Sequence, residues 1–147
     1  SHEEDDFPSY SPSEDKIIFQ RYSGCGYHIM TISTDGSNLT TLTDCPFTQP
    51  VISPIGDNIV YIMSNTKIMK MNLNSLTVTT ISPNNNVVYK AYHPSFNSKG
   101  TKLVYIYRIN NVVKLHTVNI DGTDDKSITN NTNTDWRFLY PTFQPQP

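Results

Sequence analysis

The apolar residues of this chain fall in short β-prone runs separated by turn residues. The strongest are Lys16-Ile-Ile-Phe-Gln-Arg21, Asn58-Ile-Val-Tyr-Ile-Met63 and Lys102-Leu-Val-Tyr-Ile-Tyr107. Each is followed by a run that alternates apolar and polar positions: Ile29-Met-Thr-Ile32, Ile68-Met-Lys-Met71 and Leu115-His-Thr-Val118. Alternation with period two places one set of side chains on one face of a strand. No segment holds a 3.6-residue apolar period long enough to compete as a helix, so the pattern predicts an all-β chain.

The runs recur in register. Phe7-Pro-Ser-Tyr-Ser-Pro12, Gln49-Pro-Val-Ile-Ser-Pro54 and His93-Pro-Ser-Phe-Asn-Ser98 align, and Tyr140-Pro-Thr-Phe-Gln-Pro145 starts the pattern again. The first prolines stand at 8, 50, 94 and 141, giving periods of 42, 44 and 47. That interval suits a four-stranded unit. Within each unit an aromatic holds the same place in the second strand: Phe19, Tyr61 and Tyr105. Two copies then turn through Asp35-Gly36 and Asp121-Gly122, a hairpin signal because both central positions tolerate positive φ. The middle copy has Asn74-Ser75 there. The closing strands end Thr41-Leu-Thr43, Thr80-Ile-Ser82 and Ser127-Ile-Thr129.

This series resembles the TolB-type, WD40-like Pro-Asp repeat over residues 7–145. The Ser-Pro-Asp-Gly turn of that repeat stands here as Ser11-Pro-Ser-Glu14, Ser53-Pro-Ile-Gly56 and Asn97-Ser-Lys-Gly100. The resemblance implies β-propeller blades: three complete four-stranded antiparallel blades at about 7–43, 49–82 and 93–129, and the first strand of a fourth at 140–145. It implies a toroid, commonly periplasmic or extracellular and used for binding. Three blades do not close a ring. The chain is therefore expected to be a partial propeller, or half of a six-bladed ring made by two copies.

Composition adjusts this picture only at its edges. Hydrophobic content is 36%, charged content 16% and net charge −2, with the basic residues scattered. That distribution gives no electrostatic footprint for nucleic acid. No run approaches the apolar length of a membrane span. The chain opens Ser1-His2, which reads as the remnant of a cleaved tag. Glu3-Glu-Asp-Asp6 then reads as a solvated, disordered acidic terminus.

Strands one and three of a unit run opposite to strands two and four, so two kinds of connection share a face. Cys25 and Cys45 lie in neighbouring connections on that face. They are candidates for a disulfide, which would indicate an oxidising compartment. Free structural thiols and a metal site with His28 are the alternatives at this stage. The positions before the repeat proline (Phe7, Gln49, His93 and Tyr140) are expected to converge at the mouth of the central channel, where Gln49, His93 and Tyr140 are ligand candidates. Tyr22, Tyr27, Phe47, Tyr89, Tyr92, Trp136, Arg137 and Phe138 are expected on the loop face. Tyr92, Trp136, Arg137 and Phe138 lead there as partner-binding residues, because aromatics and Arg dominate protein–protein hot spots.

Asp121, Asp124 and Asp125 crowd one hairpin, where a calcium ion is conceivable, although the Asp-Gly turn accounts for Asp121. Asn38-Leu-Thr40 and Asn130-Asn-Thr132 match the glycosylation sequon. No nucleophile elbow, zinc-protease helix or phosphate loop is present, so no catalytic residue, cofactor or metal is expected. The sequence supports a non-enzymatic module that contacts a protein, peptide or glycan through its loop face. The competing reading is the propeller domain of a larger hydrolase or lyase whose catalytic residues lie elsewhere.

Overall fold

A computed structural model describes residues 3–13, 15–82, 90–110, 112–130 and 140–143. Twelve strands are described, in three four-stranded antiparallel sheets of sequential order. The first holds β1 (Asp5–Tyr10), β2 (Lys16–Tyr22), β3 (Tyr27–Ser33) and β4 (Thr40–Thr41). The second holds β5 (Phe47–Ile52), β6 (Asn58–Met63), β7 (Lys67–Asn72) and β8 (Val78–Ser82). The third holds β9 (Lys90–Phe96), β10 (Lys102–Ile109), β11 (Val112–Asn119) and β12 (Lys126–Ser127). There is no helix among the described residues. The three sheets are propeller blades that do not close a ring.

Alternation along β6 builds both seams between blades. Ile59 and Tyr61 pack with Ile18, Ile29 and Ile52 against the first blade. Val60 and Ile62 point the other way and join Leu103, Tyr105 and Val118 of the third. A strand covered on both sides must be apolar at every position, which is why Ile59, Val60, Tyr61 and Ile62 form an unbroken buried run. Burial of each of the aliphatic side chains among them stabilises the fold by roughly 1.5–3 kcal/mol.

Three expectations change. The acidic terminus is partly ordered, with Asp5 and Asp6 in β1 opposite Arg21 and Gln20. Arg21 Nε and Nη2 reach the two oxygens of Asp5 at 2.7 and 2.8 Å. That fork-to-carboxylate bond supplies the order a bare charge run lacks. The expected fourth-blade strand is not formed over 140–143, which carries no strand assignment, and 144–145 lies outside the described residues.

The Asp-Gly turns are also one residue longer than a two-residue hairpin. Ser33 N bonds Ser37 O, and only Gly36 has positive φ. Asp35 accepts a hydrogen bond from Ser37 N, holding the aspartate on the right-handed side and leaving the left-handed position to glycine. Asp121 and Thr123 repeat the device around Gly122.

The degenerate Ser-Pro turns keep the part of their motif that matters. Ser11 and Ser53 accept from the first amide of the next strand, Lys16 N and Asn58 N. Asn97 does the same for Lys102 N through Oδ1. The Asx/Ser acceptor is the constant, and the residues after it vary.

Candidate functional site

The repeat proline and the second-strand aromatic are two sides of one feature. In β1, β5 and β9 the pairing register slips at the residue before the proline and at the proline itself. Those two residues oppose a single residue on the next strand, which is Phe19, Tyr61 or Tyr105. This is a β-bulge, one of the few places where a sheet accepts a residue without an N–H. At each bulge the residue before proline takes the left-handed conformation: Phe7 (φ 53), Gln49 (φ 56) and His93 (φ 51). Non-glycine residues adopt that conformation at a cost of about 1–3 kcal/mol, and such strain concentrates at functional positions.

The bulge frees an amide, and a side chain takes it up. Gln49 N donates to Gln20 Oε1 at 2.8 Å, and Gln20 is buried. His93 N in turn donates to Gln49 Oε1 at 2.6 Å. Gln49 is therefore part of the scaffold between blades. Gln20 was not singled out from sequence; a glutamine within an apolar strand run was the available signal.

These bulges bring Phe7, Gln49, His93 and Tyr140 around one cavity of about 220 Å3, with Val51 and Pro94 in its wall. The imidazole of His93 is stacked on Phe7 with ring centres 6.2 Å apart. The Tyr140 ring is tilted against it, with ring centres 4.6 Å apart. Burial holds the His93 pKa below its ordinary value, so the ring is neutral at neutral pH. The cavity thus offers aromatic surface, one amide and one uncharged imidazole.

The loop-face residues divide. Tyr22 and Tyr27 pair edge to face at 5.4 Å, with Tyr22 exposed. Phe47, expected on that face, turns inward instead and meets Tyr61 edge-on at 5.1 Å in the first seam. Seam burial wins because the ring lies beside an apolar cluster. Tyr92 is half-buried, 6.3 Å from His93. Tyr89, Trp136, Arg137 and Phe138 lie outside the described residues.

Cys25 and Cys45 are joined by a disulfide, with S–S 2.11 Å and Cα–Cα 6.2 Å. His28 lies against it, Nε2 3.6 Å from Cys25 Sγ and Nδ1 3.0 Å from Thr43 O. The three aspartates of the last hairpin go to different partners. Asp121 caps Thr123 and Asp124 pairs with Lys126. Asp125 enters the seam between the second and third blades.

That seam holds a polar network the sequence did not announce. Tyr105 Oη donates to Asp125 at 2.9 Å, and His116 Nδ1 stands 3.0 Å from the same carboxylate. Ser82 Oγ donates to Asp125 Oδ2 and lies 3.0 Å from Tyr105 Oη. The His116 ring stacks on Tyr107 at 4.4 Å. Burial alone would raise the Asp125 pKa, but hydrogen bonds from His116, Ser82 and Tyr105 more than offset it and hold the carboxyl below its ordinary value. Ser82 is fully buried and bonds the carboxylate rather than the imidazole, so the group ties blades together and offers no accessible nucleophile.

No protein-family model matches the chain, and no curated protein sequence does. Solved structures do. A putative TolB from Agrobacterium tumefaciens superposes with a TM-score of 0.75 at 18% identity, over 84% of this chain and 48% of that one. Oligogalacturonate lyase from Vibrio parahaemolyticus gives 0.69 at 17% identity, over 82% and 38%. Pyrococcus horikoshii acylaminoacyl peptidase gives 0.63 at 14%, over 88% and 24%. The chain spans about half the length of these structures or less, and at such identities the likeness shows the fold alone. The fold is thus that of a TolB-like β-propeller, shared by TolB and by lyase and peptidase propellers. The two-copy ring expected from the blade number finds no support in these likenesses.

Proposed function

We propose that this TolB-like propeller segment is a non-enzymatic binding module whose mouth receives an apolar or aromatic side chain of a protein or peptide partner. The supporting observation is the convergence of three strained bulge positions and Tyr140 on one aromatic cavity. Ligand sites are concave, largely apolar and fitted with a few polar groups. This one is smaller than the roughly 300–1,000 Å3 typical of small-molecule sites, which suits one inserted side chain better than a whole sugar or drug-sized ligand. A neutral imidazole and an amide give direction without favouring an anion. The Cys25–Cys45 bridge supports an extracytoplasmic location, since disulfides persist in oxidising compartments.

Panning a displayed peptide library against the chain tests the reading. Selected peptides should share an aromatic or large apolar anchor, and His93→Ala with Tyr140→Ala should weaken them at least about tenfold, as loss of a hot spot does. Peptides that bind the double variant undiminished would remove the mouth as the site. The alternative, a propeller beside a hydrolase or lyase outside this chain, draws its support from the lyase and peptidase likenesses. A catalytic domain encoded in the same reading frame would favour it.

A further inference from the structure

The Cys25–Cys45 bridge and His28 lie apart from the mouth, and their geometry has a use beyond cross-linking. Cys25 sits in the loop between β2 and β3, Cys45 in the connection leading to β5, and His28 on β3. One ligand atom from each lies within 4.8 Å of the other two. Thr43 O is only an acceptor, so the His28 nitrogen 3.0 Å from it, Nδ1, carries the proton. Nε2 is then left with its lone pair, directed toward Cys25 Sγ and the Ser23 hydroxyl. A histidine that donates one ring N–H to a backbone carbonyl and presents the other nitrogen to sulfur has the arrangement of a metal-ligating imidazole.

We propose that this cluster is a redox-gated zinc site, closed as the disulfide and opened by two-electron reduction. In the oxidised chain both sulfurs are bonded to each other and hold no charge for a cation. A dithiol or phosphine reductant cleaves the S–S bond. The dithiol becomes a disulfide, or the phosphine its oxide with oxygen from water, and the chain gains two thiols. Zinc then binds Cys25 Sγ, Cys45 Sγ and His28 Nε2, displacing the two thiol protons to solvent, so charge balances.

Thiolate and imidazole together select zinc over calcium or magnesium. Zn–S of about 2.3 Å and Zn–N of about 2.0 Å require ligand atoms roughly 3.5–3.8 Å apart in a tetrahedron. Cys25 Sγ and His28 Nε2 already stand at 3.6 Å and all three ligand atoms lie within 4.8 Å of one another, and once the S–S bond is cut the two sulfurs must move apart. The Cys25 loop has open space on its Gly24 side, where an added Cβ would meet nothing within 4 Å, while Gly26 packs against Pro46 and Cys45; both glycines have positive φ. Cys25 is exposed, which leaves the fourth zinc position to water or an incoming ligand.

The test titrates zinc into the oxidised chain and into chain reduced by phosphine, then desalted without oxygen. The expected result is one zinc per reduced chain with loss of two free thiols, and no such site in the oxidised chain. Cobalt in place of zinc should give a thiolate-to-metal charge-transfer band. His28→Ala should weaken binding at least about tenfold, and Cys25→Ser with Cys45→Ser should abolish it. If reduction unfolds the first blade, circular dichroism supplies the readout, because zinc should restore the β signal and raise the unfolding temperature. A reduced chain that neither binds zinc at one equivalent nor regains structure with it overturns the proposal. So does undiminished binding by His28→Ala.

Discussion

Replacing Gly122 by alanine probes the seam between the second and third blades, and Gly36 supplies a matched control. Both glycines close the same hairpin in their own blades, and both have φ +86. A methyl group at Gly36 meets nothing within 4 Å, whereas at Gly122 it would stand 2.7 Å from Ile81 O, on β8 of the preceding blade. The backbone strain of a left-handed alanine, about 1–2 kcal/mol, is common to the two variants. Gly122→Ala must also push two stretches of backbone apart by roughly half an ångström or more, an overpacking cost of about 1–3 kcal/mol.

Gly36→Ala should therefore lose about 1–2 kcal/mol and Gly122→Ala about 2–5. In urea melts the m-values should be equal and the midpoints separated. The difference corresponds to roughly 3–9 °C in Tm at about 3 °C per kcal/mol. Equal losses would mean that the hairpin of the third blade does not rest on β8, and the seam described here would be wrong.

Two further outcomes follow from the polar groups at the seams. Asp125→Asn should cost about 1.5–3 kcal/mol near neutral pH, since three hydrogen bonds to a charged carboxylate are weakened. The Asp125 pKa is lowered in the folded chain, so its contribution is complete above the unfolded value near 3.8 and is lost as pH falls through the lower folded value. The gap between wild type and variant should accordingly close below about pH 4 in pH-dependent urea melts; a gap that persists there would assign the loss to packing. Gln20→Ala should cost about 1–3 kcal/mol by orphaning Gln49 N. It should also weaken any peptide that binds the mouth, whereas Val78→Ala, at an exposed site, should change neither by more than about 0.5 kcal/mol.

Features set by equivalent positions of the repeat were legible from the sequence, including the convergence of Phe7, Gln49, His93 and Tyr140 on one cavity, whereas polar pairs between unlike positions of neighbouring repeats were not. The proline period fixes the bulges, and period-two alternation fixes which side chains enter a seam. Both are local patterns read three times over. Gln20 meets Gln49 across 29 positions, and Ser82 meets Asp125 across 43. No spacing rule marks such pairs, because the distance between partners is set by how one blade sits on the next. Asp125 also replaces an apolar residue: by pairing register its counterparts are Leu39 and Val78. A single substitution between repeats gives no periodic signal, and here it coincides with His116 at the place held by Met30 and Met69. Phe47 failed for the opposite reason, as a loop aromatic at a strand start whose burial depends on Tyr61 in the adjacent strand.

The same logic explains why one repeated aromatic has three surroundings. Tyr61 faces the first blade, among Ile18 and Ile29, and Tyr105 faces the second, among Val60 and Ile62. Phe19 points in the equivalent direction, onto the flank of the first sheet, where Ile17 and Ile32 lie beside it around a cavity of about 230 Å3. It is nevertheless buried, because Arg21 stretches over its ring at 5.4 Å and is held there by Asp5. A guanidinium can cover an aromatic face while its own edge stays wet. At Phe19 the chain uses a clamped cation where at Tyr61 and Tyr105 it uses a neighbouring sheet. The repeat therefore specifies the direction of the aromatic, and the residues around each copy specify what covers it.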